Sequence, residues 1–132
     1  MTFECKVGQE MAEFLSRYDP ERDFLLSAVV TELVRASVAI DGSDPLLPLG
    51  LAHLRWFVVD AALRGQGVGK QLLSEAIEFA RDAGFAGVYL TTFRGLEAAA
   101  ALYATAGFRV VAEEVGESWG REVAEQRLEM RF

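Results

Sequence analysis

Val59-Asp60-Ala61-Ala62-Leu63-Arg64-Gly65-Gln66-Gly67-Val68-Gly69-Lys70 closes one apolar run and opens an amphipathic one, with three alternating glycines at the junction. Upstream, residues 52–60 (AHLRWFVVD) become wholly apolar at their end, the pattern of a strand covered on both faces. Downstream, Val68, Leu72, Leu73, Ala76, Ile77 and Ala80 mark one face of a helix, with Gly84 placed to end it. Glycine has no Cβ, reaches positive φ, and lets a ligand come close to the main chain. The first turn of a helix adds unpaired N–H groups and the positive end of a dipole. Strand, glycine turn and helix in that order make a cradle for a phosphate.

Two common nucleotide signatures fail at this loop. A P-loop needs GxxxxGK(S/T), but Arg64 stands five before Gly69 and Gln71 follows Lys70. The dinucleotide fingerprint GxGxxG, begun at Gly65, demands glycine where Lys70 stands. It also needs an acid about 20 residues later for a ribose, where this chain has Tyr89-Leu90.

Residues 87–92 (GVYLTT) read as a short buried strand, and residues 96–106 as a helix that Gly107 ends, with Ala98–Ala101 giving high helix propensity. Residues 108–115 read as a strand. From 124 to 132, apolar or neutral residues alternate with Glu and Arg, as in a half-exposed antiparallel strand. On the N-terminal side, Met11, Phe14, Leu15 and Tyr18 predict a short helix over 9–18 that stops at Asp19-Pro20. Residues 24–30 and 33–40 predict two antiparallel strands, although Thr31-Glu32 makes a poor hairpin turn. Residues 41–50 hold two prolines and two glycines and predict a loop. Alternating strand and helix patterns from residue 51 predict an α/β layout.

At 132 residues the chain predicts one domain, and 52% apolar with 25% charged residues excludes disorder. No run approaches the ~18 apolar residues of a membrane span, and MTFECKVGQE lacks the apolar core of a signal peptide. With Cys5 the single cysteine and His53 the single histidine, neither an internal disulfide nor a multi-imidazole metal site is expected, and the cytoplasm is the expected location. Twenty acidic against thirteen basic residues argue against nucleic acid as a partner, so an anionic ligand needs a local device and an amine is mildly favoured.

The loop fits the pyrophosphate pattern (R/Q)xxGx(G/A) as Arg64-Gly65-Gln66-Gly67-Val68-Gly69, and Ala99-x-x-Leu102-Tyr103-x-x-x-Gly107-Phe108 fits AxxLYxxxGF. With both motifs in order and one strand between their helices, the sequence resembles the GNAT acetyltransferase superfamily. From LRWFVVD onward it is similar in particular to the acetyltransferase half of proteins that fuse this domain to a MarR-type regulator. The resemblance covers the last 80 residues well and the first 50 poorly.

It implies an acyl-CoA N-acyltransferase-like α/β fold, a mixed and mostly antiparallel sheet flanked by helices, with a shortened N-terminal part. It implies acetyl-CoA as cosubstrate, no metal, and acetyl transfer by direct attack of a primary amine on the thioester. Carried over by position, N–H groups of Gln66 to Lys70 hold the pyrophosphate. Main-chain groups of Phe57 and Val59 pair with the pantetheine arm, and a main-chain N–H there faces the oxyanion. Tyr103 protonates the departing thiolate. Leu96 stands where the family often has asparagine, and Ala61 where proline is common.

Other residues have plainer readings. Arg64 is equally suited to a phosphate or to a turn, and the side chain of Lys70 is expected in solvent. Glu113, Glu114 and Glu117 are weak candidates for a base, which water can replace. His53 reads as structural. Trp119-Gly120-Arg121 reads as a hairpin anchor or an acceptor-site wall, and Cys5, near a terminus, shows no base partner and is not a credible nucleophile. The resemblance implies an amine-bearing small molecule or peptide as acceptor, and no membrane partner is expected. An exposed edge strand at 124–132 offers a route to a homodimer. The competing reading is a non-catalytic acyl-CoA-binding or interaction module with a degenerate acceptor site.

Overall fold

The strand and helix patterns of the sequence assemble around one open sheet. A computed structural model describes residues 3–44, 47–48, 50–118 and 121–132. In chain order it has α1 (Phe3–Ser16), β1 (Phe24–Val30), β2 (Leu33–Asp41), β3 (Leu51–Val59), a single 3-10 turn (Ala61–Leu63), α2 (Val68–Asp82), β4 (Gly87–Phe93), α3 (Glu97–Ala106), β5 (Arg109–Ser118) and β6 (Arg121–Arg131). The six strands run in the order β1-β2-β3-β4-β6-β5. Among the described residues only β3 and β4 pair in parallel, because α2 carries the chain across between them while the β1–β2 and β5–β6 pairs are hairpins. Among the described residues no helix is long and apolar enough to cross a membrane.

The sequence expectation for residues 124–132 needs one correction. That strand is β6, and it lies between β4 and β5 rather than at an edge. Its polar alternation reflects one solvated face of a central strand, since Gly87–Phe93 pairs along one side of it and β5 along the other. The edges are β1 and β5, so β6 offers no route to a dimer. The first helix also differs from expectation, beginning at Phe3 and ending at Ser16.

Leu72, Leu73, Ala76, Ile77 and Ala80 of α2 pack on Val38, Ile40, Ala52, Leu54, Val88 and Leu90 of the sheet. The other face carries α1, where fully buried Phe14 meets the Trp56 ring edge-on at 5.4 Å. The β1–β2 hairpin turns through Thr31 and Glu32 at φ 53° and 64°. Both residues sit in the left-handed region that type I′ requires, a conformation the flanking pairing imposes on residues that do not favour it.

Ion pairs fasten α1. The Asp41 carboxylate, fully buried, accepts from Arg17 through both Nη atoms at 2.7 Å and from Arg55 Nη1 at 3.0 Å. Arg17 also binds Glu13, and Arg55 binds Glu10, so the chain runs Glu13-Arg17-Asp41-Arg55-Glu10. Burial alone would raise the Asp41 pKa, but the hydrogen bonds from Arg17 and Arg55 outweigh it and hold it below the ordinary carboxylate value. Asp41→Ala removes the buried carboxylate that Arg17 and Arg55 share and leaves them with the outer partners Glu13 and Glu10, and a loss of about 2–3 kcal/mol is expected in urea unfolding at pH 7. A loss below about 1 kcal/mol would show that the network adds little to stability.

The last β3–β4 pair joins His53 to Tyr89, whose rings stack at 4.4 Å and 10°. Burial, with Arg55 nearby, pushes the His53 pKa down to about 4. In the unfolded chain the imidazole titrates near 6.5, so the unfolded state binds the extra proton between those values. Stability from this group is complete above about pH 6.5 and drains as pH falls toward about 4. His53→Phe, which keeps an aromatic ring on Tyr89, should lose about 1–2 kcal/mol less than the wild type between pH 7 and pH 5. Parallel losses in the two proteins would refute the assignment.

Candidate active site

β3 and β4 pair through Leu51–Gly87, Ala52–Val88 and His53–Tyr89, and no further. Beyond His53, β3 stays bonded to β2 while β4 stays bonded to β6 along its whole length, so a gap opens inside the sheet. The β4-facing edge of residues 54–59 therefore has no strand partner, an unusual state for backbone in a sheet interior. A cleft of about 470 Å³ occupies the opening. Its walls come from residues 53–57 of β3, residues 90–93 of β4, and Leu96, Ala99 and Tyr103 at α3, with Glu10 of α1 at one side.

At the end of β3 the chain turns into the glycine loop. Asp60 caps the 3-10 turn, accepting from Ala62 N at 2.8 Å and from Arg35 at 3.1 Å. The Ala62 N–H and then Arg35 hold its pKa below the usual value. Gly65 and Gly67 take φ of 81° and 77°, and Gly67 is the N-cap of α2 with no side chain capping the turn. A Cβ at either glycine would meet nothing within 4 Å, so these two serve the backbone conformation and keep the outer surface open. Gly69 differs. Its missing Cβ would lie 3.1 Å from Leu102 and 3.2 Å from Val59, so it lets α2 sit against α3 and β3.

The helical hydrogen bonds of α2 begin at Gln71 N to Gly67 O, leaving the N–H groups of Val68, Gly69 and Lys70 ahead of the first acceptor. No acid lies in that turn. The arrangement suits an anion. Arg64 and Lys70 are exposed at its rim, and Gln66 donates its side-chain amide to Ala62 O at 3.1 Å.

Tyr103 is buried on α3, with the Phe57 and Phe108 rings 5.7 and 5.8 Å away. Burial pushes its pKa up to about 12. Phe57 and Tyr103 both line the cleft, and Gly69 packs against Val59 and Phe57 beside it. Leu96 is the N-cap of α3 and supplies no capping hydrogen bond. Glu113 accepts from Arg94 at 2.9 Å and Gln126 at 2.8 Å, and with Glu114 it lines a second cleft beyond Thr91. His53 is on the cleft wall, stacked on Tyr89. Trp119 and Gly120 lie outside the described residues.

Sequence reasoning missed two features of this site. Trp56 sits at φ 50° where two β3 residues oppose one of β2, a bulge no glycine announces. Arg55 and its partners Asp41 and Glu10 were also missed. A charge inside the apolar run LRWFVVD, which a buried strand accepts only with a counter-charge, was the available signal.

Residues 5–108 match the family model described as Acetyltransferase (GNAT) family, so the likeness takes in α1, β1 and β2 as well as the two motifs. The chain is 31% identical over 117 residues to N-acetyltransferase 8 of Homo sapiens, covering 87% of this chain and 52% of that protein. It thus spans about half the length of the curated relatives it matches. Its fold superposes on a GNAT-family acetyltransferase from Streptococcus pneumoniae with a TM-score of 0.78 at 23% identity, over 94% of this chain and 75% of that one. The yncA protein of Salmonella typhimurium, solved with its cofactor acetyl-CoA, gives 0.74 at 21% identity, over 94% and 72% of the two chains. By its family match and by its relatives, the chain belongs to the GNAT family of acetyltransferases.

Proposed function

We propose that the chain transfers the acetyl group of acetyl-CoA to a primary amine of a small molecule or peptide. The observation that supports this most is the unpartnered edge of β3, residues 54–59, which opens onto a cleft at residues 54–57 and is followed in the chain by uncapped helix N–H groups at the start of α2. A pantetheine arm carries two amides and fits such an edge as a strand would, and a pyrophosphate fits the N–H array beside it. Phe57 and Val59 supply the main-chain groups for the arm. The turn at Arg64, Gly65, Gln66, Gly67, Val68, Gly69 and Lys70 supplies the cradle.

In this reading a neutral amine attacks the thioester carbonyl, a C–N bond forms, and the oxyanion meets a β3 main-chain N–H. Collapse breaks the C–S bond, and the amine proton passes to solvent. Tyr103 stays protonated at neutral pH because its pKa is raised to about 12. That lies well above an ordinary thiol, so a full proton transfer is uphill and the hydroxyl acts mainly by hydrogen-bonding the developing thiolate.

Thiol release from acetyl-CoA with a panel of amines tests the proposal. Turnover is expected, whereas tight CoA binding with no turnover on any amine would favour a binding module. Tyr103→Phe should lower kcat about 10²-fold with little change in KM for acetyl-CoA, since the ring contacts remain. An unchanged kcat would remove Tyr103 from the chemistry. Gly67→Ala must hold a left-handed residue at a cost of about 1–2 kcal/mol, and CoA affinity by calorimetry should fall about tenfold. Gly69→Val instead crowds Leu102 and Val59, and its expected effect is about 1–3 kcal/mol of lost stability. Equal CoA affinity in the Gly67 variant and the parent would contradict the cradle.

A further inference from the structure

We propose that Ser37 is a positioning residue, locking from β2 the bulge that sets which β3 groups meet the acetyl-bearing arm. This rests on the reading of the gap as the acetyl-CoA site. Ser37 pairs with Val58 and Ala39 with Arg55, so Trp56 and Phe57 together oppose Val38. One β3 residue is therefore extra, and the ladder cannot satisfy its peptide groups. The Ser37 hydroxyl donates to the Trp56 carbonyl at 2.8 Å and fills that deficit.

The lock matters because side chains alternate along a strand. Leu54 lies in the core under α2, and without the bulge residues 56 and 58 would follow it there. With the bulge, Phe57 and Val59 take those places, against Gly69 and Leu102, and Trp56 turns to Phe14 on the α1 side. Trp56 holds φ 50°, where a bulky residue is rarely found, so something outside it must keep it there. Its side chain is held between Phe14 and the Arg55 guanidinium, 4.3 Å from the ring. Its main chain is held by Ser37. Loss of the hydroxyl frees the backbone to relax toward a regular strand and shifts the peptide groups beside the arm, with the glycine loop left as it was.

The test compares two probes by calorimetry: acetyl-CoA, and 3′-phosphoadenosine 5′-diphosphate, which has the pyrophosphate and lacks the arm. Ser37→Ala should weaken acetyl-CoA about three- to tenfold and leave the fragment's affinity in place. Ser37→Thr, which keeps a hydroxyl, should restore acetyl-CoA binding. Backbone amide resonances of residues 56–58 should move in Ser37→Ala and return in Ser37→Thr. If Ser37→Ala does not fold, Ser37→Cys, with its weak donor, carries the same comparison. Equal weakening of both probes, or no change in either, would overturn the positioning role while leaving the acetyl-CoA reading intact. Failure of the unaltered protein to bind acetyl-CoA would sink that reading and this inference with it.

Discussion

The parting of β3 from β4 after their third pair is the constraint on which the rest of this structure depends. A strand in the middle of a sheet ordinarily has a partner on each side, and leaving its edge open forgoes several backbone hydrogen bonds. Here the opening is built into the topology. β4 remains bonded to β6 along all its residues, and β3 remains bonded to β2, so neither can swing back to close the gap. The unpaired edge is then a standing demand for an extended ligand with amide groups.

Holding such an edge in place takes support from both faces. On one face α2 approaches closely enough to touch Val59 and Phe57 because residue 69 is glycine. This couples the uncapped turn of α2 to the strand it serves. On the other face α1 is clamped by Asp41, Arg17, Arg55 and Glu10, and Phe14 seats the indole of Trp56. The buried Asp41 carboxylate is paired with two guanidiniums, so α1 is held in one orientation by bonds of fixed geometry as well as by apolar contact. The bulge lies between these two supports, and its strained residue persists because both sides specify it.

Much of the architecture was legible in the sequence because it rests on local pattern. The α2 face, the apolar β3 and β4, and the glycine loop follow from periodicity and from what glycine permits. The two motifs carried the family. Three things were not legible, each for a physical reason. The place of β6 inside the sheet is a matter of chain topology, and alternation along one strand cannot distinguish a central strand from an edge. The left-handed Thr31, Glu32 and Trp56 are imposed by pairing partners distant in sequence, against their own preferences. The Asp41 network joins residues up to 45 apart, and Asp41 next to Gly42 has the local signature of a turn, not of a buried acid.

The electrostatics of the chain explain why the proposed phosphate site is made of backbone. A net charge of −7 repels a polyanion at long range, but screening confines that repulsion to about 8 Å at physiological salt. Contact is decided within that distance, by N–H groups and the positive end of α2. Neither contributes to the formal charge, and the missing acid in the first turn leaves them uncompensated. A basic patch would do the same work less selectively, since lysines on flexible stems attract any phosphate, whereas three N–H groups fixed by Gly67 favour one approach. On the proposed reading, an acidic surface with a backbone cradle disfavours most anions and favours one that also offers amides to β3. On the same reading, selectivity for such a ligand comes from requiring both ends of it at once, the pyrophosphate at α2 and the arm along residues 54–59.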